Sequence, residues 1–94
     1  MTYTPQPINT EGIILPKDLL DLCERLAENA HDLWALQRLS NGWRFGEYRD
    51  EKKHEHPNLV PYHELSETEK EYDRIVTIET LKAIIALGFK LEKA

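Results

Sequence analysis

Residues 17–40, KDLLDLCERLAENAHDLWALQRLS, decide the fold of this chain. Leu19, Leu22, Cys23, Leu26, Ala30, Leu33 and Trp34 recur at steps of three and four along one stripe, the spacing of an amphipathic helix. Glu24, Arg25, Glu28 and Asp32 take the opposite side. Pro16 stands where a missing N–H costs nothing, and Asp18 and Asp21 place negative charge near the positive end of the helix. Asn41-Gly42 then offers a left-handed cap that stops it. Gln37 falls inside the apolar stripe, so its amide is expected to find a backbone or side-chain partner.

A second helix starts at Ser66-Glu67-Thr68-Glu69, a capping box in which Ser66 caps the N-terminus and Glu69 reaches back. The helical pattern runs to Leu87, with Gly88 as the C-terminal cap. Tyr72, Ile75 and Val76 face one way and Ile78, Leu81 and Ile85 another. With β-branched Val76, Thr77, Ile78 and Thr80 between them, a kink or a split near Thr77 is expected. Leu81 to Leu87 is apolar almost all round and should be the most buried element.

Between the helices lies a long connection. Trp43 to Tyr48 alternates as a short strand would, a charged run follows from Arg49 to His56, and Pro57-Asn58-Leu59-Val60-Pro61-Tyr62 closes it. A connection of that length is usually functional or partly mobile. Ile13-Ile14-Leu15 and Phe89-Lys90-Leu91 could form short strands side by side. Residues 1–12, with two prolines and no period, read as an extended lead-in to one domain over residues 13–94. The fold class is mainly α: two long antiparallel helices with an ordered connecting loop and short β-strands.

Composition narrows the function. At 94 residues, folding removes only about 60% of the unfolded surface from water, so the core is thin and association with a second copy is plausible. A net charge of −5 argues against an extended nucleic-acid footprint, though two or three arginines suffice for a small anion. No apolar stretch approaches the roughly 20 residues a membrane span needs. With no signal peptide apparent and a single cysteine, Cys23, read as a small core residue, the cytoplasm is the expected compartment.

His54-Glu55-His56 with His63 invites a metal, but two histidines one residue apart in a charged loop have no firm third ligand, and a solvated loop is the better reading. No nucleophile stands beside a base, and no Walker or dinucleotide glycine pattern is present, so no enzyme signature is found and no cofactor is expected. His31, Trp34 and Arg38, at i, i+3 and i+7, line the edge of the first helix's apolar stripe. An imidazole, an indole and a guanidinium in one strip suit a planar anionic ligand, with Arg44 or Arg49 as a second positive contact. From composition and spacing alone the stronger reading of the same residues is structural: tryptophan packed under the loop, histidine bonded to a carbonyl, arginine to a carboxylate.

The runs Leu26-Ala27-Glu28-Asn29-Ala30-His31-Asp32-Leu33-Trp34-Ala35 and Gly42-Trp43-Arg44-Phe45-Gly46 resemble the signature of the ryanodine-receptor repeat, the RyR domain. The likeness continues through His56-Pro57-Asn58-Leu59-Val60-Pro61-Tyr62, Glu69-Lys70, Asp73-Arg74 and Leu81-Lys82 to Leu87-Gly88-Phe89, over roughly residues 13–92. In ryanodine receptors these repeats occur in tandem cytosolic pairs linked to adenine-nucleotide binding, and single-copy bacterial and phage versions are associated with nucleotide-type signals. The resemblance implies a ligand-binding role in which Trp34 stacks on the purine, His31 hydrogen-bonds the ligand, and Arg38 and Arg49 meet phosphates. It also suggests a homodimer that imitates the tandem pair. Channel activity does not carry over. The alternative is a protein-interaction or scaffold module in which the same strip is buried against a partner and no small molecule binds.

Overall fold

The computed structural model describes residues 2–94 and is mainly α-helical. Helix α1 spans Lys17–Ser40 and α2 spans Glu67–Ala86. Between them lie the two-residue strands β1, Arg44–Phe45, and β2, Glu55–His56, followed by a 3-10 turn at Tyr62–Glu64.

Both helices end as their glycines dictate. Gly42 (φ +86°) follows α1, with Trp43 N–H donating to Arg38 O at 3.0 Å and Gly42 N–H to Leu39 O at 3.1 Å. Gly88 (φ +100°) repeats the pattern after α2, with Phe89 donating to Ile84 O and Gly88 to Ile85 O. Each is a Schellman closure that satisfies otherwise orphaned carbonyls. At the start of α2, Ser66 Oγ accepts from Glu69 N–H at 3.2 Å. The reciprocal half of the expected capping box is not made: the Glu69 carboxylate lines a cleft instead.

The core is displaced from the leucine stripe. Its centre on α1 is Cys23, Ala27 and His31, one residue every four, and Leu33 lies outside it. Ala27 is fully buried because its small side chain lets Tyr62 and Leu65 close on the helix, with Val60 alongside. Cys23 sits in this face, donates to Leu19 O at 3.3 Å, and has its thiol pKa pushed up by burial, as an inert core residue should. Gln37, expected to be partnered within the stripe, is exposed and makes no side-chain hydrogen bond among the described residues.

Three other expectations need correction. Helix α2 is continuous through Thr77, so of the expected kink or split the split is not found; the Thr77 hydroxyl donates to Asp73 O at 2.8 Å. The Leu81–Leu87 stretch is not the most buried element, since residues 81–85 are half-buried and Leu87 is exposed. The ends of the chain do not pair as strands: Leu15 is buried, whereas Phe89 is exposed and no ladder joins them. The buried centre is instead formed by α1 and the 3-10 turn region, through Ala27, Tyr62 and Leu65, and α2 covers it with half-buried residues only.

An ion-pair network ties the helices. Arg74 donates from Nε to Glu24 Oε2 at 2.7 Å and from Nη2 to Glu24 Oε1 at 3.0 Å, while Tyr62 Oη donates to the same Oε1 at 2.9 Å. Arg74 also reaches Glu67 Oε2 at 3.0 Å. These bonds hold Glu24's carboxyl pKa below its ordinary value, the Arg74 bond being the larger cause.

The connecting loop is ordered by local geometry. Strands β1 and β2 pair in parallel, Arg44 with Glu55 and Phe45 with His56, and an antiparallel bridge joins Asp50 to Glu55. Parallel strands rarely close over so short a connection. Here Asp50 Oδ1 accepts from Lys52 and Lys53 N–H, each at 3.0 Å, and His54 takes a left-handed turn at φ 55°. Gly46 lies against β2, where an added Cβ would come within 2.6 Å of Glu55 Cβ. Gly46→Ala is therefore expected to cost about 1–3 kcal/mol, the usual range for overpacking, seen as a lowered Tm. Because β2 carries His56, it should also disturb the cleft described next.

Candidate ligand-binding cleft

A cleft of about 270 Å³ opens between the C-terminal half of α1, the connecting loop and the N-terminal half of α2. His31, Trp34 and Arg38 come from α1, Arg49, His56 and Asn58 from the loop, and Glu69, Tyr72 and Asp73 from α2. All four residues expected from the sequence, His31, Trp34, Arg38 and Arg49, lie on its wall. Arg44 does not; it is exposed and paired with Glu55 at 3.3 Å.

The structural reading of the α1 strip holds for two of its members. His31 is 4% exposed, and its Nε2–H donates to Val60 O at 2.7 Å. A carbonyl can only accept, so Nε2 carries the proton and Nδ1 is left as an acceptor in the neutral ring. Trp34 is half-buried beneath the loop, stacked on His31 at 5.6 Å and edge-on to His56 at 5.0 Å. Arg38 departs from that reading. It has no carboxylate partner among the described residues, and its guanidinium lies over Trp43 at 4.5 Å and Trp34 at 5.6 Å. A guanidinium held on aromatic faces keeps its donors for something else.

Beyond Arg49, sequence reasoning missed the loop side and all of the α2 side. The charged loop is not simply solvated: His54 stacks on Trp43 at 5.0 Å and 10°, and His56 is drawn into the cleft. Asn58 N–H donates to His56 Nδ1 at 3.0 Å, which leaves Nε2 to carry the proton of the neutral ring. Burial, then the charges of Arg49 and Arg38, lower the His56 pKa. Spacing alone gave no signal for this, because His56 reaches the cleft through the β1–β2 pairing. Glu69 and Asp73, at i and i+4, present one face of α2 to the same space.

The match to known families is decisive on ancestry: the model of the RyR domain family covers residues 3–93. The chain belongs to the RyR domain family. Its cleft is thus formed by helices and a connection that all lie within the matched residues. No helix among the described residues is long and apolar enough to cross a membrane.

Asp73 gives this RyR domain a testable pH signature. Burial is the main cause raising its carboxyl pKa, opposed by the His31 charge. As pH rises, the unfolded chain ionises Asp73 first, near pH 4, while the folded chain still holds the proton. Stability contributed by this group therefore falls between the two pKa values and stays lower at neutral pH. Asp73→Asn should raise Tm at pH 7, and the gap from the wild type should close below about pH 4 in thermal melts across pH.

Proposed function

We propose that this RyR domain is a non-catalytic binding module of the cytoplasm whose ligand is a nucleotide of the adenine type. The observation that carries the reading is Arg38: a cation laid across two indoles, with no carboxylate partner among the described residues, on the wall of a cleft that Trp34 and two histidines also line. Trp34 offers a stacking surface for a base, and Arg38 with Arg49 offers donors to phosphate oxygens. Arg49 is engaged only by exposed Glu51 at 2.8 Å, a contact worth little in water and readily exchanged for phosphate. This reading takes binding rather than turnover as the function, resting on the stacking and donor groups of the cleft. Neither a resident cofactor nor a nucleic-acid partner is part of the reading.

One chain supplies only part of the site. About 270 Å³ lies at the lower edge of the roughly 300–1,000 Å³ usual for ligand pockets. The chain exposes 7613 Å², whereas a compact monomer of 11.0 kDa exposes about 5,600 Å². Tyr72, Ile75 and Val76 form an exposed apolar stripe on α2 that runs out of the cleft. In this reading a second copy covers the stripe and walls the open side, giving a homodimer with the nucleotide near its interface. Light scattering at high micromolar concentration should report twice 11.0 kDa; a lone monomer would contradict the dimer.

The test of ligand binding is a thermal-shift and calorimetric screen against ATP, ADP, ADP-ribose, NAD and cyclic nucleotides, with Trp34→Ala alongside. Saturable binding lost in the variant, with its fold intact, is the expected result. The second reading is a protein-interaction module, favoured by the same exposed stripe. Silence at millimolar nucleotide, with impaired dimerisation in Trp34→Ala, would select it.

A further inference from the structure

The leucines that the core leaves outside keep a regular spacing of their own. Leu19, Leu22, Leu26, Asn29, Leu33 and Leu36 follow at alternating steps of three and four, the seven-residue repeat of a helix that lies along a second helix. At about 100° per residue, the strip is turned roughly 130° around α1 from Ala27, away from the packed core. Leu19 and Leu26 are its half-buried edge, while Leu22, Leu33 and Leu36 are 37%, 58% and 65% exposed, with Asn29 exposed between them. None of the six lines the cleft, and the exposed stripe of α2 belongs to the other helix. Helix formation does not require this strip: glutamate, lysine or glutamine would propagate α1 as well as leucine and keep the surface polar.

Two charges beside the strip are unused in the same way. Arg25 and Asp32 are exposed on its flank, and neither makes an ion pair or a side-chain hydrogen bond among the described residues. Elsewhere on α1, Glu24 is held by Arg74 and Asp21 by Lys17. Seven residues apart, Arg25 and Asp32 share one face but stand about 10 Å from each other along the axis, too far to meet. A second α1 running the opposite way brings Arg25 of each copy beside Asp32 of the other. A parallel α1 does not: there Arg25 faces Ala30 and Asp32 faces Gln37, and both charges stay unpaired.

We infer that the leucine strip of α1 is a docking surface for α1 of a second copy, laid antiparallel about a twofold axis close to Asn29. In that arrangement Leu22 of one copy packs against Leu33 and Leu36 of the other, and an Arg25–Asp32 pair forms on each side of the axis. The two Asn29 amides come together at the centre, where a polar residue fixes the register and lowers affinity. This contact is separate from the one on the α2 stripe and does not depend on a nucleotide. The strip is short and its centre polar, so it is the weaker of the two contacts, forming toward about 1 mM. With both contacts made, dimers join in pairs.

Sedimentation of the full chain isolates this contact once the α2 stripe is blocked by Val76→Glu, a change at an exposed position. In low salt that variant should pass from 11.0 kDa toward twice that mass as its concentration rises to about 1 mM. Adding Leu33→Lys should hold it at 11.0 kDa at every concentration. Adding Arg25→Glu instead should weaken association at least about tenfold, since two attractions become repulsions. Arg25→Glu combined with Asp32→Arg exchanges the charges and should restore association to within about threefold of the parent variant. Leu33, Arg25 and Asp32 are exposed, and circular dichroism checks that each variant folds. A Val76→Glu protein that stays monomeric at about 1 mM would overturn the inference, as would association that Leu33→Lys leaves unchanged. Failure of the charge exchange to restore what Arg25→Glu removes would overturn the antiparallel docking.

Discussion

Tyr62→Ala should lower stability by about 3–5 kcal/mol, the usual cost of deleting a buried aromatic ring. Tyr62 is buried where α1, the 3-10 turn and α2 converge, and it closes the small cluster with Ala27 and Leu65. Its hydroxyl also donates to Glu24, the carboxylate that Arg74 reaches from α2. Burial first, and the Glu24 contact second, push the Tyr62 pKa up to about 12, so the phenol stays protonated and remains a donor throughout the physiological range. Domains have only about 5–15 kcal/mol in total, and the core here is thin, so this variant should melt more than 10 °C below the wild type by calorimetry. Tyr62→Phe separates the two contributions. It keeps the ring and removes one hydrogen bond to a charged group, a loss of about 1.5–3 kcal/mol. A Tyr62→Ala protein as stable as wild type would mean that the core has been misplaced.

The second large effect falls on affinity. Arg38→Ala should weaken ATP binding by about 10- to 100-fold, the value of one or two hydrogen bonds to a charged phosphate. The same change should lower Tm by only a few degrees, since the guanidinium contributes its contacts with Trp34 and Trp43, about 0.5–1 kcal/mol. Arg38→Lys keeps the charge but not the planar fork, so its affinity should fall between the two. Titration calorimetry with parallel melts reads both quantities. Unchanged ATP affinity in Arg38→Ala would remove the phosphate-binding end of the cleft.

Much of this was legible in the sequence where local chemistry governs. The two Schellman closures follow from Gly42 and Gly88, and the start of α2 from Ser66, because caps depend on a few neighbouring residues. Long-range packing was less legible. The leucine stripe of α1 predicted its buried face, yet the core centres on Cys23, Ala27 and His31, since close approach of Tyr62 favours a small residue over a large one. Likewise, the apolar end of α2 predicted burial that the packing does not supply within one chain.

The candidate site divides in the same manner. Residues sharing a helix face, His31, Trp34 and Arg38, could be grouped from spacing alone. Arg49 was proposed as a neighbour of that face and does line the cleft. His56 could not be grouped with them, because its position depends on a parallel pairing with β1 across a tightly turned loop. Glu69 was misread for a physical reason: the capping box and the cleft compete for one carboxylate, and only the fold reveals which receives it.

Residue-resolved NMR tests the central claim most directly. The chain has two tryptophans, Trp34 and Trp43, so its indole N–H region holds two resonances that Trp34→Phe assigns. Titration with ATP should shift the Trp34 indole saturably, with the His31 and His56 ring protons moving along the same curve. Trp43 and the distant Cys23 should respond less. If neither indole moves at millimolar ATP, or if the shifts gather away from α1 and the connecting loop, the cleft is not a nucleotide site.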